Sequence, residues 1–459
     1  MGVFINAWKI ADLRKKMLFT LFIVLIFRIG SHILVPFITP NAMSGLLGGD
    51  GTLMQYFDAI TGGALGRGTL FAMSITPYIN ASIIMQLLTV AIPALERMQK
   101  EGEAGQKKIN KIIKLLALAI GIFQATAFYF VLVNMNEIPI VENDMIVGYT
   151  EALRYAAEGG FYGFMEMIVI IGCFTAGASL IIWLGEQITD KGIGNGISMI
   201  LFAGIISGVP KEIGDLIKVM TARDGGWQNI VYVPLILIIY IAMIGFVVHM
   251  TNAERRIPVQ YAKRQVGRKM YGGQSSHIPI KVAMSGVMPI IFAMSIMSLP
   301  QTILHFFKIT PMTHPPGSGG VWAKFFELFN STSWIYAVVY FLLIIGFNYF
   351  YVAVQYNPVE IANNLKKNNG AIPGYRPGKP TSDFIHNSLS KITFIGAIFL
   401  GIVAIFPIAF SNITDLTGQR IQGLSLGGTT VLIVVGVALE TMRTLESQMM
   451  MRHHKGFLE

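Results

Sequence analysis

The chain is poor in charge: only 13% of its 459 residues are Asp, Glu, Lys or Arg, against 53% hydrophobic. Soluble domains carry about 25% charged residues. A water-soluble globule of this length could not hide so much apolar surface in one core, so lipid must be the solvent for much of it. Cysteine is nearly absent. The single Cys173 lies in an apolar run, which excludes an intrachain disulfide. No G-x-x-x-x-G-K-[ST] phosphate loop, H-E-x-x-H or G-x-S-x-G occurs. The glycines of Lys191-Gly192-Ile193-Gly194-Asn195-Gly196 follow an apolar helix rather than a strand, which speaks against nucleotide binding. His453 and His454 are too few for a metal site. An ATPase, a protease and a redox enzyme are all disfavoured, no cofactor is expected, and the chain reads as not an enzyme.

What is present is a series of apolar runs. A membrane helix needs about 20 mostly apolar residues. Candidate spans fall near 17–37, 74–93, 115–135, 162–184, 193–209, 230–249, 282–307, 334–354, 391–410 and 428–446, ten in all. The first continues through Arg28 to Pro36 without a small-residue cleavage site, so it reads as a retained helix. With the N-terminus on the cytoplasmic side, loops 94–114, 250–281 and 355–391, Lys191 and the tail hold, with the N-terminal segment, 26 of the 35 Lys and Arg. That bias predicts both termini in the cytoplasm.

The chain divides near 210–229 into two sets of five spans. An odd number per half forces opposite orientations, as in inverted-repeat proteins that work at the interface between halves. The fold expected is an all-α polytopic membrane protein with ten transmembrane helices in two five-helix inverted-topology halves. The N-terminal half would be 1–209, the external hinge linker 210–229, the C-terminal half 230–446 and the cytoplasmic tail 447–459. Charges inside the spans are scarce, which leaves a coupled transporter's midplane site poorly furnished. Arg28 is the clearest of them, and snorkelling or structural pairing explains it best. Residues 53–69 are too short and too Gly-rich to cross; they are an external loop or a re-entrant segment.

Several motifs carry a resemblance. Ser74-Ile75-Thr76-Pro77-Tyr78-Ile79-Asn80-Ala81-Ser82, Trp183-Leu184-Gly185-Glu186-Gln187 through Gly196-Ile197-Ser198, Arg255-Arg256-Ile257 and Tyr261-Ala262-Lys263-Arg264-Gln265 are four of them. Gly286-Val287-Met288-Pro289, Asn357-Pro358 and Pro373-Gly374-Tyr375-Arg376-Pro377-Gly378 complete the set. In order and spacing, over roughly residues 8–446, they resemble the SecY family, the channel subunits that pass unfolded polypeptides across or into bacterial membranes. The resemblance implies a pore ring of Ile75, Ile79, Leu201, Ile291 and Ile433. It implies a plug over 54–66, with Met54, Phe57, Ile60, Gly62, Gly63 and Leu65, whose glycines act as a hinge. It implies a lateral gate between helices 2 and 7 with Asn80 and Leu87 facing Ile296 and Leu299. It implies that Arg255, Arg256, Lys263, Arg264 and Arg376 dock the SecA motor ATPase or the ribosome.

The same resemblance implies SecE and SecG-like small membrane subunits as partners, signal-sequence-bearing polypeptides as substrates, and the bacterial cytoplasmic (inner) membrane as the location. Anionic lipid beside the basic loops is expected on charge alone. An aliphatic waist makes physical sense, because an apolar constriction gates by dewetting and grips no particular sequence. One departure stands out: Ala283 replaces the Asn that many members carry, which removes a polar partner for Asn80. By the residues alone, a protein-conducting channel, an inverted-repeat secondary transporter and a pore-less scaffold subunit all stay open.

Overall fold

A computed structural model describes residues 2–39, 58, 60–134, 138–142, 145–150, 153, 160–221, 226–261, 264–266, 269–271, 275–306, 320–321, 324, 333–416 and 428–455. Helices dominate it. In chain order they are α1 (Gly2–Lys9), α2 (Ala11–Gly30), α3 (Thr76–Ala91), α4 (Pro93–Lys100), α5 (Glu103–Asn134), α6 (Gly160–Lys191) and α7 (Gly196–Thr221). They continue with α8 (Gly226–Asn252), α9 (Met288–Phe306), α10 (Trp334–Gln355), α11 (Pro358–Lys367), α12 (Lys379–Leu416) and α13 (Gly428–Lys455). Ten of these have 16 residues or more, and each overlaps one of the ten expected spans. The runs 103–133, 160–191, 334–367 and 379–406 are each long and apolar enough to cross a bilayer, and α3 with α4 supplies a bent fifth. The chain is a polytopic helical membrane protein.

The helices start and stop for local reasons. At Ile92-Pro93 the proline cannot continue the α3 ladder, and α4 leaves at 102° to α3. α10 is capped by Ser333, whose side chain accepts from Ile335 N; α11 is capped by Asn357, which accepts from Val359 N and Glu360 N with Pro358 in the first turn. α2 ends at Gly30, earlier than the expected 37, because Leu34 bridges to Thr69 and Phe37 has a φ of 69°. α7 and α8 extend into the expected 210–229 linker.

The helices form two packed groups. Tyr129, Leu132, Ile170 and Phe174 belong to one core, between α5 and α6. Met243, Ile290, Tyr340, Ile344, Leu400 and Val431 form another, from α8 to α13. Across the rest of the bundle large apolar side chains such as Leu21, Phe22, Leu115, Trp183, Ile238 and Leu342 lie exposed. On a water-soluble protein so many would be an aggregation liability; here lipid covers them.

Short strands occupy the connections. β1 (Ile138–Glu142) and β2 (Met145–Thr150) form an antiparallel pair between α5 and α6. β3 (Glu254–Tyr261), β4 (Arg264–Val266), β5 (Lys269–Tyr271) and β6 (Ser275–Lys281) lie between α8 and α9, and β7 (Gly370–Ala371) follows α11. β3 is central in a three-stranded sheet of order β6-β3-β7. It pairs with β6 from Glu254↔Lys281 to Gln260↔Ser275, and with β7 at Gln260↔Ala371 and Tyr261↔Gly370.

Candidate functional site

Ile75 caps the N-terminus of α3, Pro77 fixes the first turn, and Ile79 lies one turn further along the same face. Leu201 comes from α7, Ile291 from α9 and Ile433 from α13. Ile75, Leu201 and Ile433 are buried in one cluster with Phe27, Phe71 and Ile181, against which Ile79 packs. A cavity of about 970 Å³ opens beside them. Ile79, Leu201, Ile291 and Ile433 all line it, whereas Ile75, fully buried, does not. The cavity draws on both helix groups, with Tyr78 and Ser82 from one and Phe292, Tyr351 and Leu389 from the other. One end is polar, with Lys281, Glu440 and Arg443. Arg443 Nη2 donates to Asn252 Oδ1 at 2.7 Å, tying α13 to the end of α8. Burial holds Lys281 below the usual lysine range, and the Arg443 charge adds to that.

The glycine segment after position 57 packs against this assembly. Asp58, Ile60 and Thr61 are helical, and Gly62 and Gly63 follow at φ of 68° and 80°. Glycine takes those values more readily than any residue with a side chain. Asp58 Oδ1 accepts from Gly66 N at 2.7 Å, and Thr61 Oγ1 donates to Asp58 O. Ile60 packs on the cluster that holds Ile75, Leu201 and Ile433. Leu65 is buried against Tyr129 and Phe174. Met54 and Phe57 lie outside the described residues.

α3 and α9 run beside each other at the seam between the groups. Asn80 is buried, with no hydrogen-bond partner among the described residues, while Leu87 is exposed and Ile296 half-buried. Leu299 is placed on α9 only by its backbone. The sequence reading missed the polar contact that does anchor this region. Ser285, in the turn before α9, donates to Asn348 Oδ1 of α10, and Asn348 Nδ2 donates to Thr393 O of α12 at 2.8 Å. All three residues are buried. An Asn in the middle of the apolar α10 was the available signal.

The two basic loops meet in the sheet. Ile257 and Val259 of β3 point into a core with Ile280, Leu365, Ile372 and Ile385, and β7 brings the 355–391 loop alongside. Arg255 and Arg256 are exposed on β3. Arg256 Nε donates to Glu254 Oε1 at 2.7 Å and holds that carboxylate below its usual range. Arg376 is exposed in a turn framed by Gly374 and Gly378 at positive φ. Thr381 Oγ1 donates to Arg376 O, and Tyr375 packs on Phe384 with ring centroids 4.3 Å apart. Lys263 lies outside the described residues; Arg264 is placed on β4 only by its backbone.

The comparisons with known proteins address the whole chain. A family model described as SecY matches residues 69–442. "Protein translocase subunit SecY" of Mycobacterium tuberculosis (strain ATCC 25618 / H37Rv) is 39% identical over 470 residues, covering 100% of both chains. The protein of the same name from Halalkalibacterium halodurans is 41% identical over 461 residues, covering 99% of each. Among solved structures, one described as "The structure of a protein conducting channel" superposes with a TM-score of 0.59 at 19% identity, over 95% of this chain and 92% of that one. Another, "Sec61 in the Canine ribosome-channel complex from the endoplasmic reticulum", gives 0.58 at 20% identity, with the same coverage. At those identities the structures speak for the fold.

Proposed function

Because this chain belongs to the SecY family, we propose that it is the central subunit of a protein-conducting channel, translocating unfolded preproteins across the bacterial cytoplasmic membrane and inserting membrane proteins laterally into it. The observation that carries this reading is the cavity between the two helix groups, with Ile79, Leu201, Ile291 and Ile433 on its wall. Aliphatic side chains let an extended chain slide without binding any sequence, and a ring of them excludes water and ions when nothing fills it. Ile75 completes the ring in this reading, and residues 54–66 are the plug that closes it at rest. α3 and α9 bound the lateral gate, with Asn80 and Leu87 opposite Ile296 and Leu299. An apolar signal segment partitions between them into lipid, and that transfer supplies the free energy for opening.

The remaining roles follow from charge and topology. Both termini are cytoplasmic by the positive-inside bias, the two halves part near 210–229, and the β6-β3-β7 sheet with the Arg376 turn faces the cytoplasm. That sheet is the docking face. Arg255, Arg256, Lys263, Arg264 and Arg376 offer fixed cations to ribosomal RNA phosphates or to acidic patches on the SecA motor. A structural neighbour whose description names a ribosome complex supports the first partner. A partner drives transport, since the chain acts as a channel and not as an enzyme. SecE and SecG-like subunits clasp the halves from outside, and anionic lipid neutralises the basic face.

The test is reconstitution of the chain with those subunits in vesicles. Removal of residues 54–66 is expected to raise ion conductance, and the intact channel is expected to import preproteins when the motor and ATP are added. Solute flux coupled to a proton or sodium gradient, with no preprotein import, would instead favour a secondary transporter.

A further inference from the structure

Arg28 is a charge within the spans that transport chemistry leaves unused. It lies on α2, two residues before that helix ends. Its Nη1 donates to Gly62 O at 3.2 Å. Arg67 approaches the same group from the other side: Nη2 donates to Gly62 O at 3.2 Å, and Nε to Gly63 O at 2.9 Å. A carbonyl oxygen has two lone pairs, so Gly62 O is saturated by two guanidinium groups. Two like charges thus converge on one oxygen.

Close packing completes the hold. A Cβ on Gly62 would lie 2.3 Å from Ser207 Oγ and 2.7 Å from Gly204 O, and one on Gly204 would lie 2.2 Å from Ile60 O. The 60–62 backbone is therefore pressed directly onto α7. Past Gly63 the chain is fixed by other means. Val35 N donates to Gly68 O, Leu70 N to Ile33 O and Thr69 N to Ala64 O, at 2.8–3.2 Å. Ala64, Leu65 and Thr69 are buried. The chain from Ala64 onward is thus anchored independently of the contacts at Gly62.

We infer that Arg28 is the latch of the plug: its guanidinium, with Arg67, holds the Gly62 carbonyl against α2 and α7, and release pivots at Gly62-Gly63. The inference rests on the assignment of 54–66 as the plug. Three features suit the arrangement to repeated opening. The latch grips backbone, so it asks nothing of the side chains before Gly62. The grip is charge-assisted, and so stronger than a neutral hydrogen bond. Both arginines exchange the carbonyl for water when it leaves, which keeps the opening threshold low.

The experiment measures resting ion conductance of the reconstituted channel, with and without residues 54–66, in wild-type and Arg28→Gln backgrounds. Losing one charge-assisted hydrogen bond should raise the open fraction roughly tenfold in Arg28→Gln. The same substitution should add nothing once 54–66 is removed. Arg28→Lys keeps the charge but not the planar fork, should give intermediate conductance, and reads the latch on its own should Arg28→Gln fail to assemble. Wild-type conductance in both Arg28 variants, with a rise on removal of 54–66, would overturn the latch and leave the plug standing. No rise on removal of 54–66 would overturn both. A rise from Arg28→Gln that persists without 54–66 would place Arg28 on the pore itself and overturn the latch.

Discussion

The two ends of the bundle are held together by different chemistry. At one end β3 is paired on both edges and buries Ile257 and Val259 in an apolar core, so the arginines it presents are carried on a rigid plate. At the other, residues 60–63 are kept in place by guanidinium–carbonyl contacts, one glycine-to-backbone approach and a pair of left-handed glycines. Ladder bonds and buried area resist displacement, whereas a few polar contacts beside glycine hinges can be exchanged for water. In the proposed roles, a docking face keeps its shape under load and a plug leaves. The difference in construction matches that difference in task.

Ile257→Ala is the largest perturbation we expect. Removing a side chain that is 2% exposed should cost about 2–5 kcal/mol and loosen the sheet. Hydrogen exchange should rise at β3 amides and stay unchanged at Thr61; equal loosening at both ends would erase the contrast. Gly204→Ala strikes the opposite end. The added methyl meets Ile60 O, and the clash should cost about 1–3 kcal/mol. Faster exchange at Thr61 with β3 unaffected is the expected result, and unchanged exchange would show that the close approach is unimportant.

Arg376→Glu should lower motor-driven export about tenfold, about 1.4 kcal/mol, without altering assembly or melting. Its side chain is exposed, so normal export by this variant would take Arg376 off the docking face. Asn80→Leu should have the smallest effect, within about 0.5 kcal/mol, because Asn80 has no hydrogen-bond partner among the described residues. The comparison is with a relative that carries Asn where this chain has Ala283. An equally large gating change in both backgrounds would show that the missing hydrogen bond is irrelevant.

Much of this was legible in the residues. Runs of about 20 apolar residues mark the helices, because a bilayer leaves the backbone few other ways to satisfy its hydrogen bonds. Helix ends were less legible. Pro93 breaks α3 visibly, but α12 starts at Lys379, well before its apolar stretch, since a polar helix costs nothing outside lipid. The β3 strand was not legible, because Ile257, Val259 and Tyr261 give only a short alternation and Pro258 sits inside it. The residues proposed for the waist look like any membrane isoleucine or leucine, and only motif order singled them out. That Arg28 meets Gly62 could not be read at all: 34 positions separate them, and a backbone carbonyl leaves no trace in a sequence.

The most direct test of the channel reading is a scan of single cysteines in a Cys173→Ala background, at positions 79, 201, 291, 433 and the lipid-facing 115. A preprotein stalled during motor-driven import, carrying a thiol-reactive probe, should crosslink to the first four and not to 115. Import that proceeds without crosslinks at those four positions, or with equal labelling at 115, would contradict a path for the polypeptide between the two helix groups.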